Sequence, residues 1–298
     1  MPHRKDIFLQ IDKPNYTHKL LNPMTQRTSV LSFLLPITFT LLMCLHTSAQ
    51  KNDSIQITPA NINSKVLREG THRYLVYFKM NKDSVRTQTQ FWTRTIKRTD
   101  YKGTAAIEIK QEWEDKDSIV HIVHSLCDAK TMQPLYHKTW WKVQTSRNAT
   151  VKTVSETIVD FKSKAVLFNG KALSGSDTAR QSKPIWAGYQ SSIDKYFLNW
   201  HLDLETFPLL PYKNGVTFLI PFYDPGTASN YQSVAYTVTG SEKLTGFNDQ
   251  TIDCWLLVHE SKGNREVFWI SKKTKEVLKL EQQFGKMYRY KIKLGFSM

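Results

Sequence analysis

The chain has 298 residues, 41 of them Lys or Arg and 26 Asp or Glu, which gives a formal net charge of +15 at pH 7. That balance permits attraction to an anionic membrane surface, an acidic polysaccharide or nucleic acid without selecting one; the basic residues are scattered along strand-like segments, which favours solvated outer faces over a dedicated polyanion site, and nucleic acid is not expected as a partner. Cys127 and Cys254 have no second cysteine or histidine at ligand spacing, which argues against a cysteine-based zinc site.

Residues 1–23 precede a second methionine, Met24, and show neither periodicity nor a core-forming pattern, so they read as a non-native or disordered leader. Residues 24–49 read as a signal peptide. Arg27 supplies the positive n-region, Val30 to Leu45 the apolar run, and Thr47-Ser48-Ala49 the small residues of a cleavage site. Gln50 would then begin an exported chain in the periplasm or at the outer membrane. A retained anchor is the rival reading, since about 16 mostly apolar residues approach a bilayer span. Pro36, Thr38 and Thr40 interrupt that run, and no basic stop-transfer cluster follows beyond Lys51. A lipid-modified Cys44 would want a small residue before it, and Met43 is not small. Removing residues 1–49 takes away Arg4, Lys5, Lys13, Lys19, Arg27, Asp6 and Asp12, which lowers the net charge by three to +12.

Residues 50–65 form a polar stretch, expected to be a flexible segment, ahead of a single β-rich domain over 66–298. Within that domain, segment after segment alternates with the two-residue period of a half-buried strand. Tyr74, Val76 and Phe78 share one face. Thr87–Arg98 is rich in Thr, Phe, Trp and Ile, and Ala105, Ile107, Ile109 and Trp113 share a face opposite Glu108 and Lys110. Ser118–Leu126, Tyr136–Gln144, Thr150–Phe161 and Ala165–Phe168 continue an antiparallel meander, the last closed by a turn at Asn169-Gly170.

One interval breaks the pattern. Ile193, Phe197, Trp200 and Leu204 recur at spacings of four, three and four, which predicts a helix over Ser191–Leu204, with Ser191 or Ser192 as cap and Pro208 and Pro211 beyond its end. Strands resume at Gly215–Phe222, Gln232–Gly240, Thr251–His259, Glu266–Ile270, Glu276–Phe284 and Met287–Lys293. The fold class is therefore mainly β: a curved antiparallel sheet or half-open barrel wrapped around one central α-helix. The basic groups at Lys272–Lys275 and Lys286–Lys293 read as solvated outer faces.

Three stretches carry a resemblance. The hairpin Trp269 to Leu280, its partner Asp128 to Tyr136, and the segment Phe207-Pro208-Leu209-Leu210-Pro211-Tyr212-Lys213-Asn214-Gly215 after the helix resemble an uncharacterised domain family of exported proteins in Gram-negative bacteria. The turn-strand idiom around Trp269 is also similar to that of lipoprotein carriers of the LolA type. What this resemblance implies is a curved sheet that encloses an apolar cavity around a helix. It brings no catalytic residue with it.

Motifs for chemistry are sparse. His121-Ile122-Val123-His124 would place two histidines on opposite faces of a strand, where they cannot grip one ion. Glu112, Glu114, Asp115 and Asp117 lack the glycine and regular spacing of a calcium loop. His201 and Asp203 do not share a helix face. Neither a nucleophile elbow nor a phosphate-binding or dinucleotide-binding loop is present, so no catalytic residue, metal site or cofactor is expected. In an oxidising compartment Cys127 and Cys254 have the chance to pair as a disulfide.

What remains is an excess of large rings. Trp140, Trp186, Tyr196, Phe197, Trp200, Phe218, Phe222, Trp255 and Trp269 are the candidate ligand-binding residues, lining an apolar space for a lipid or acyl chain if the sheet curls around the helix. The function expected is thus non-enzymatic: binding of a lipid or other amphiphile, with an anionic membrane surface as partner. A structural or interaction module with an envelope protein as partner is the first alternative, and a glycan-binding or glycan-hydrolysing protein the second.

Overall fold

Alternation of apolar and polar residues dominates the sequence, and strands dominate the computed structural model, which describes residues 53–116, 118–144, 152–246 and 249–295. The leader expected over 1–23, the signal peptide expected over 24–49 with Cys44, and Asp117 of the acidic cluster lie outside those residues. Sixteen strands form one sheet: β1 (Ser54–Gln56), β2 (Gly70–Lys79), β3 (Arg86–Tyr101), β4 (Thr104–Asp115), β5 (Ser118–Asp128), β6 (Pro134–Gln144), β7 (Lys152–Asp160), β8 (Ala165–Phe168), β9 (Lys171–Ala172), β10 (Leu198–Asn199), β11 (Thr217–Tyr223), β12 (Gln232–Thr245), β13 (Thr251–Ser261), β14 (Asn264–Ser271), β15 (Val277–Phe284) and β16 (Met287–Leu294). Two antiparallel meanders, β2 to β9 and β11 to β16, join through the pairing of β16 with β2. β1 and β10 both run parallel to β11. The stretch expected to be flexible thus supplies β1, an edge strand.

Local chemistry explains the turns. Phe168 pairs with Lys171 across Asn169-Gly170, whose φ values of 49° and 78° are those of a two-residue hairpin turn that asparagine and glycine adopt most readily.

The predicted helix is displaced. Helix α1 spans Ser182–Ser192 and leaves helical backbone at Ile193, where ψ is 140°. Asp194 follows with a φ of 59°, so the stretch predicted as helical cannot continue one. It contains β10, a 3-10 turn at Trp200–Leu202 and the start of the short helix α2 (Asp203–Thr206), and a second 3-10 turn at Phe207–Leu209 follows beyond its end. Its apolar spacing persists for another reason: the sheet curls round this segment, so Leu198, Leu202, Leu204, Phe207, Leu209 and Leu210 all bury against Trp92, Ile109, Phe218, Tyr236 and Phe268 of the surrounding strands. A chain surrounded on several sides needs apolar groups on several sides, whatever its backbone.

Two further clusters flank this core. α1 packs Ile185 and Tyr189 on Val159 and Val166 of β7 and β8. On the other face of β13 to β15, Ile252, Cys254, Val258, Val267, Trp269 and Leu278 form the third. The pairing left open for Cys127 and Cys254 does not form: Cys127 lies in the central core and Cys254 in the outer cluster, and both are free thiols. The two ends of the sheet approach across side chains, with Phe197 5.5 Å from Phe161 and 5.4 Å from Tyr223 between ring centroids.

The expectation that Lys286–Lys293 forms a solvated face also needs correction. Lys291 and Lys293 are only 3% exposed, because Lys291 pairs in register with inward-facing Val76 while Tyr288, Tyr290 and Ile292 take the other face. Among the described residues no helix is long and apolar enough to cross a membrane.

Candidate functional site

The nine rings expected to line a ligand space occupy several separate places. Phe197, Phe218 and Phe222 are fully buried in the core. Trp200 stacks on Phe222 at 5.2 Å, and Trp255 lies parallel to Tyr212 at 6.2 Å with the Lys272 ammonium 4.3 Å above it. Tyr196 donates its hydroxyl to the Thr131 carbonyl at 2.8 Å. Trp186 packs in the α1 cluster, Trp269 lies in the outer cluster under Lys279, and Trp140 pairs with exposed Ile122 on the outer side of β6. The rings pack against protein wherever they lie.

Polar chemistry concentrates instead in the interior, along the segment that the sheet encloses. Arg94 of β3, 1% exposed, donates from Nη1 to Oε2 of Glu205 at 2.6 Å, with Asp203 at 3.8 Å from its other terminal nitrogen. Lys291 of β16 reaches Asp203 at 3.2 Å. Two cations on the sheet thus meet two carboxylates on α2. Burial is the largest influence on Lys291 and lowers its pKa to about 8 even though Asp203 opposes the shift. For Asp203 the attraction of Lys291 and Arg94 outweighs burial, the largest single cause, and its pKa falls below the carboxylate value. Such pairs cost desolvation, and removing one partner leaves the other stranded. A second buried pair, Lys293 with Glu276, lies beside His72.

Next to these pairs lies a group of histidines. His121 of β5 and His137 of β6 both point inward, and His201 in the turn after β10 sits between them and Asp224 at the end of β11. His121 donates from Nδ1 to the Trp140 carbonyl at 2.9 Å. Burial, aided by the charge of His201, lowers its pKa to about 2, so its ring is neutral and its Nε2 accepts. Nε2 of His201 is the donor, at 3.1 Å. The other ring nitrogen of His201 lies 2.8 Å from Asp224 Oδ1. His137 is neutral for the same reason, burial first and His201 next. Ser125 Oγ and Asn199 Nδ2 approach its Nδ1 at 2.8 and 3.0 Å, while its Nε2 is buried without a partner among the described residues. Indole rings wall the group: Trp141 stacks on His121 at 3.5 Å and Trp92 on Trp113 at 3.6 Å.

As the strand period requires, His121 faces in, whereas His124 faces out toward Glu108 at 2.7 Å. Sequence reasoning set His201 and Asp203 aside as a pair, and they indeed serve different networks. It missed Arg94, His137, Glu205, Asp224 and Lys291, although Arg94 shares the face of Trp92 and Ile96, a legible sign of a charge on a core face.

The family model described as "Protein of unknown function (DUF3108)" matches residues 73–293, from β2 to β16. The chain belongs to this family. Both the ionic network and the histidine group lie inside the DUF3108 region. No curated protein matches. A solved structure described as "Crystal Structure of Beta-barrel-like Protein of Domain of Unknown Function DUF1849 from Brucella abortus" is similar at 7% identity and a TM-score of 0.35, over 77% of this chain and 98% of that one. Neither match is described as a lipoprotein carrier.

Proposed function

We propose that this DUF3108 protein is an exported, non-enzymatic component of the cell envelope that contacts an anionic amphiphile, such as a lipid headgroup, with its outer surface. The observation that carries the reading is the occupation of the interior: residues 197–210 fill the space inside the sheet with their own side chains and anchor there through buried ion pairs. A carrier of the LolA type would need an acyl chain in that space. Lys272 lies over half-buried Trp255 at the margin of the central core and Lys279 over Trp269 in the outer cluster, pairings of cation and apolar ring suited to headgroups. Beside the first pair a pocket of about 470 Å³ is lined by Thr251, Ile252, Asp253, Lys272, Lys273 and Thr274. The signal-like stretch at 24–49 and the charge of +12 beyond it support export and attraction to anionic surfaces.

Flotation with vesicles tests this reading. Binding to phosphatidylglycerol vesicles is expected, weakened by salt and several-fold weaker in a Lys272→Glu/Lys273→Glu variant, with little binding to phosphatidylcholine. Equal binding to both lipids, or none to either, overturns the reading. Native mass spectrometry of protein purified from its own envelope adds a second discrimination, since a stoichiometric protein partner without lipid would favour an interaction module instead.

A further inference from the structure

We propose that His137, His201 and Asp224 form a binding site for one divalent transition-metal ion of the zinc class. One ligand atom from each of the three lies within 4.8 Å of the others. Nitrogen and oxygen ligands at zinc distances sit about 3.3 Å apart round a tetrahedral ion, so rotation of the side chains by about an ångström closes the site. Two imidazoles and a carboxylate suit zinc, iron or manganese better than calcium or magnesium.

The unpartnered Nε2 of His137 points to a ligand. His137 is 1% exposed, so this nitrogen lies buried without a partner among the described residues. Were Nδ1 protonated, it would donate to Ser125 Oγ at 2.8 Å and leave the Nε2 lone pair free. Asn199 Nδ2 would then give up its contact with Nδ1, a cost the ion must offset, while its Oδ1 keeps the His201 backbone N–H at 2.9 Å.

The other two ligands are oriented by similar outer partners. His121 accepts the Nε2–H of His201, which turns Nδ1 toward Asp224 Oδ1, 2.8 Å away, and an ion would lie between the two. Gln111 holds the His201 carbonyl at 3.1 Å. Asp224 is fixed by its own turn, its carbonyl accepting from Thr227 Oγ1 at 2.8 Å. Asp224 is the most exposed of the three, its side chain 24% exposed, whereas His137 is buried.

The full chain, stripped with a chelator and dialysed, is titrated with Co²⁺ as a spectroscopic probe and with Zn²⁺ as competitor. One Co²⁺ per chain is expected, with visible absorption that Zn²⁺ abolishes, and X-ray absorption of the zinc-loaded wild type is expected to count two imidazoles. Asp224→Asn and His137→Gln are each expected to weaken binding at least tenfold, while His124→Gln on the outer face leaves it unchanged. Absence of stoichiometric uptake at micromolar metal overturns the site, as does uptake that survives both substitutions. If either variant fails to fold, the imidazole count on the wild type decides alone, and fewer than two overturns the proposal.

Discussion

Replacing Glu205 by alanine strips the closest counter-charge from a guanidinium that is 1% exposed and 2.6 Å away. Breaking a buried pair from one side costs roughly 3–5 kcal/mol, because the remaining charge can neither reach water nor be neutralised. Asp203, 3.8 Å from Arg94, retains part of the attraction, so the lower end, about 3 kcal/mol, is expected. In a domain of this size that corresponds to a fall in Tm of roughly 6–12 °C. Urea unfolding at pH 7 of wild type, Glu205→Ala, Glu205→Leu, Arg94→Met and the double variant Arg94→Met/Glu205→Leu gives both the loss and, from the last three, the coupling. The double variant is expected to regain much of the loss, since an apolar replacement removes both desolvation penalties. A loss below about 1 kcal/mol for Glu205→Ala, or single effects that simply add in the double variant, would refute the claim that this pair is desolvated and mutually dependent.

Acid should destabilise the metal-free protein early. The His121 pKa is about 2 and that of His137 lies well below its ordinary value, so the folded state stays neutral where the unfolded chain takes up protons. Their contribution is complete above pH 6.5 and is lost as pH falls below it, at a slope approaching about 2.7 kcal/mol per pH unit for the two. Denaturant midpoints that stay constant between pH 7 and 5 would contradict this. Gly188→Ala in α1 should destabilise rather than help the helix, because a Cβ there would lie 2.2 Å from the Ser229 carbonyl oxygen; a raised Tm would count against that contact. Burial pushes the Cys254 thiol up to about 11 and Cys127 higher still. Peptide mapping after alkylation should therefore find both unmodified in the native protein and both labelled after denaturation without reductant, whereas a Cys127–Cys254 crosslink would contradict the structure.

The pleated shell was legible because the alternation of Tyr74, Val76 and Phe78, or of Ile107, Ile109 and Trp113, reports a local property: one face of each strand meets the core. The enclosed segment was harder to read. Spacings of four, three and four at Ile193 to Leu204 suit a helix, yet they suit equally an irregular chain with a sheet on several sides, and only tertiary contact separates the two. The strand Met287–Leu294 misleads more deeply. Its Tyr288, Tyr290 and Ile292 form the apolar row, yet Arg289, Lys291 and Lys293 turn inward, because Asp203 and Glu276 wait inside. A rule that sends charges outward fails wherever the interior holds opposite charges, and those lie 88 and 17 residues away in sequence. The histidine group was invisible for the same reason, since His121, His137, His201 and Asp224 come from four elements with no common spacing.

Hydrogen exchange across residues 197–210, followed by mass spectrometry with and without a long-chain amphiphile, tests most directly whether this chain fills its own interior. Protection equal to that of β3 and β14, unchanged by the amphiphile, is the predicted result. Rapid exchange in that segment, or exposure of it when amphiphile is added, would mean that the segment yields its place to a ligand and that the interior, not the outer surface, is where the protein binds.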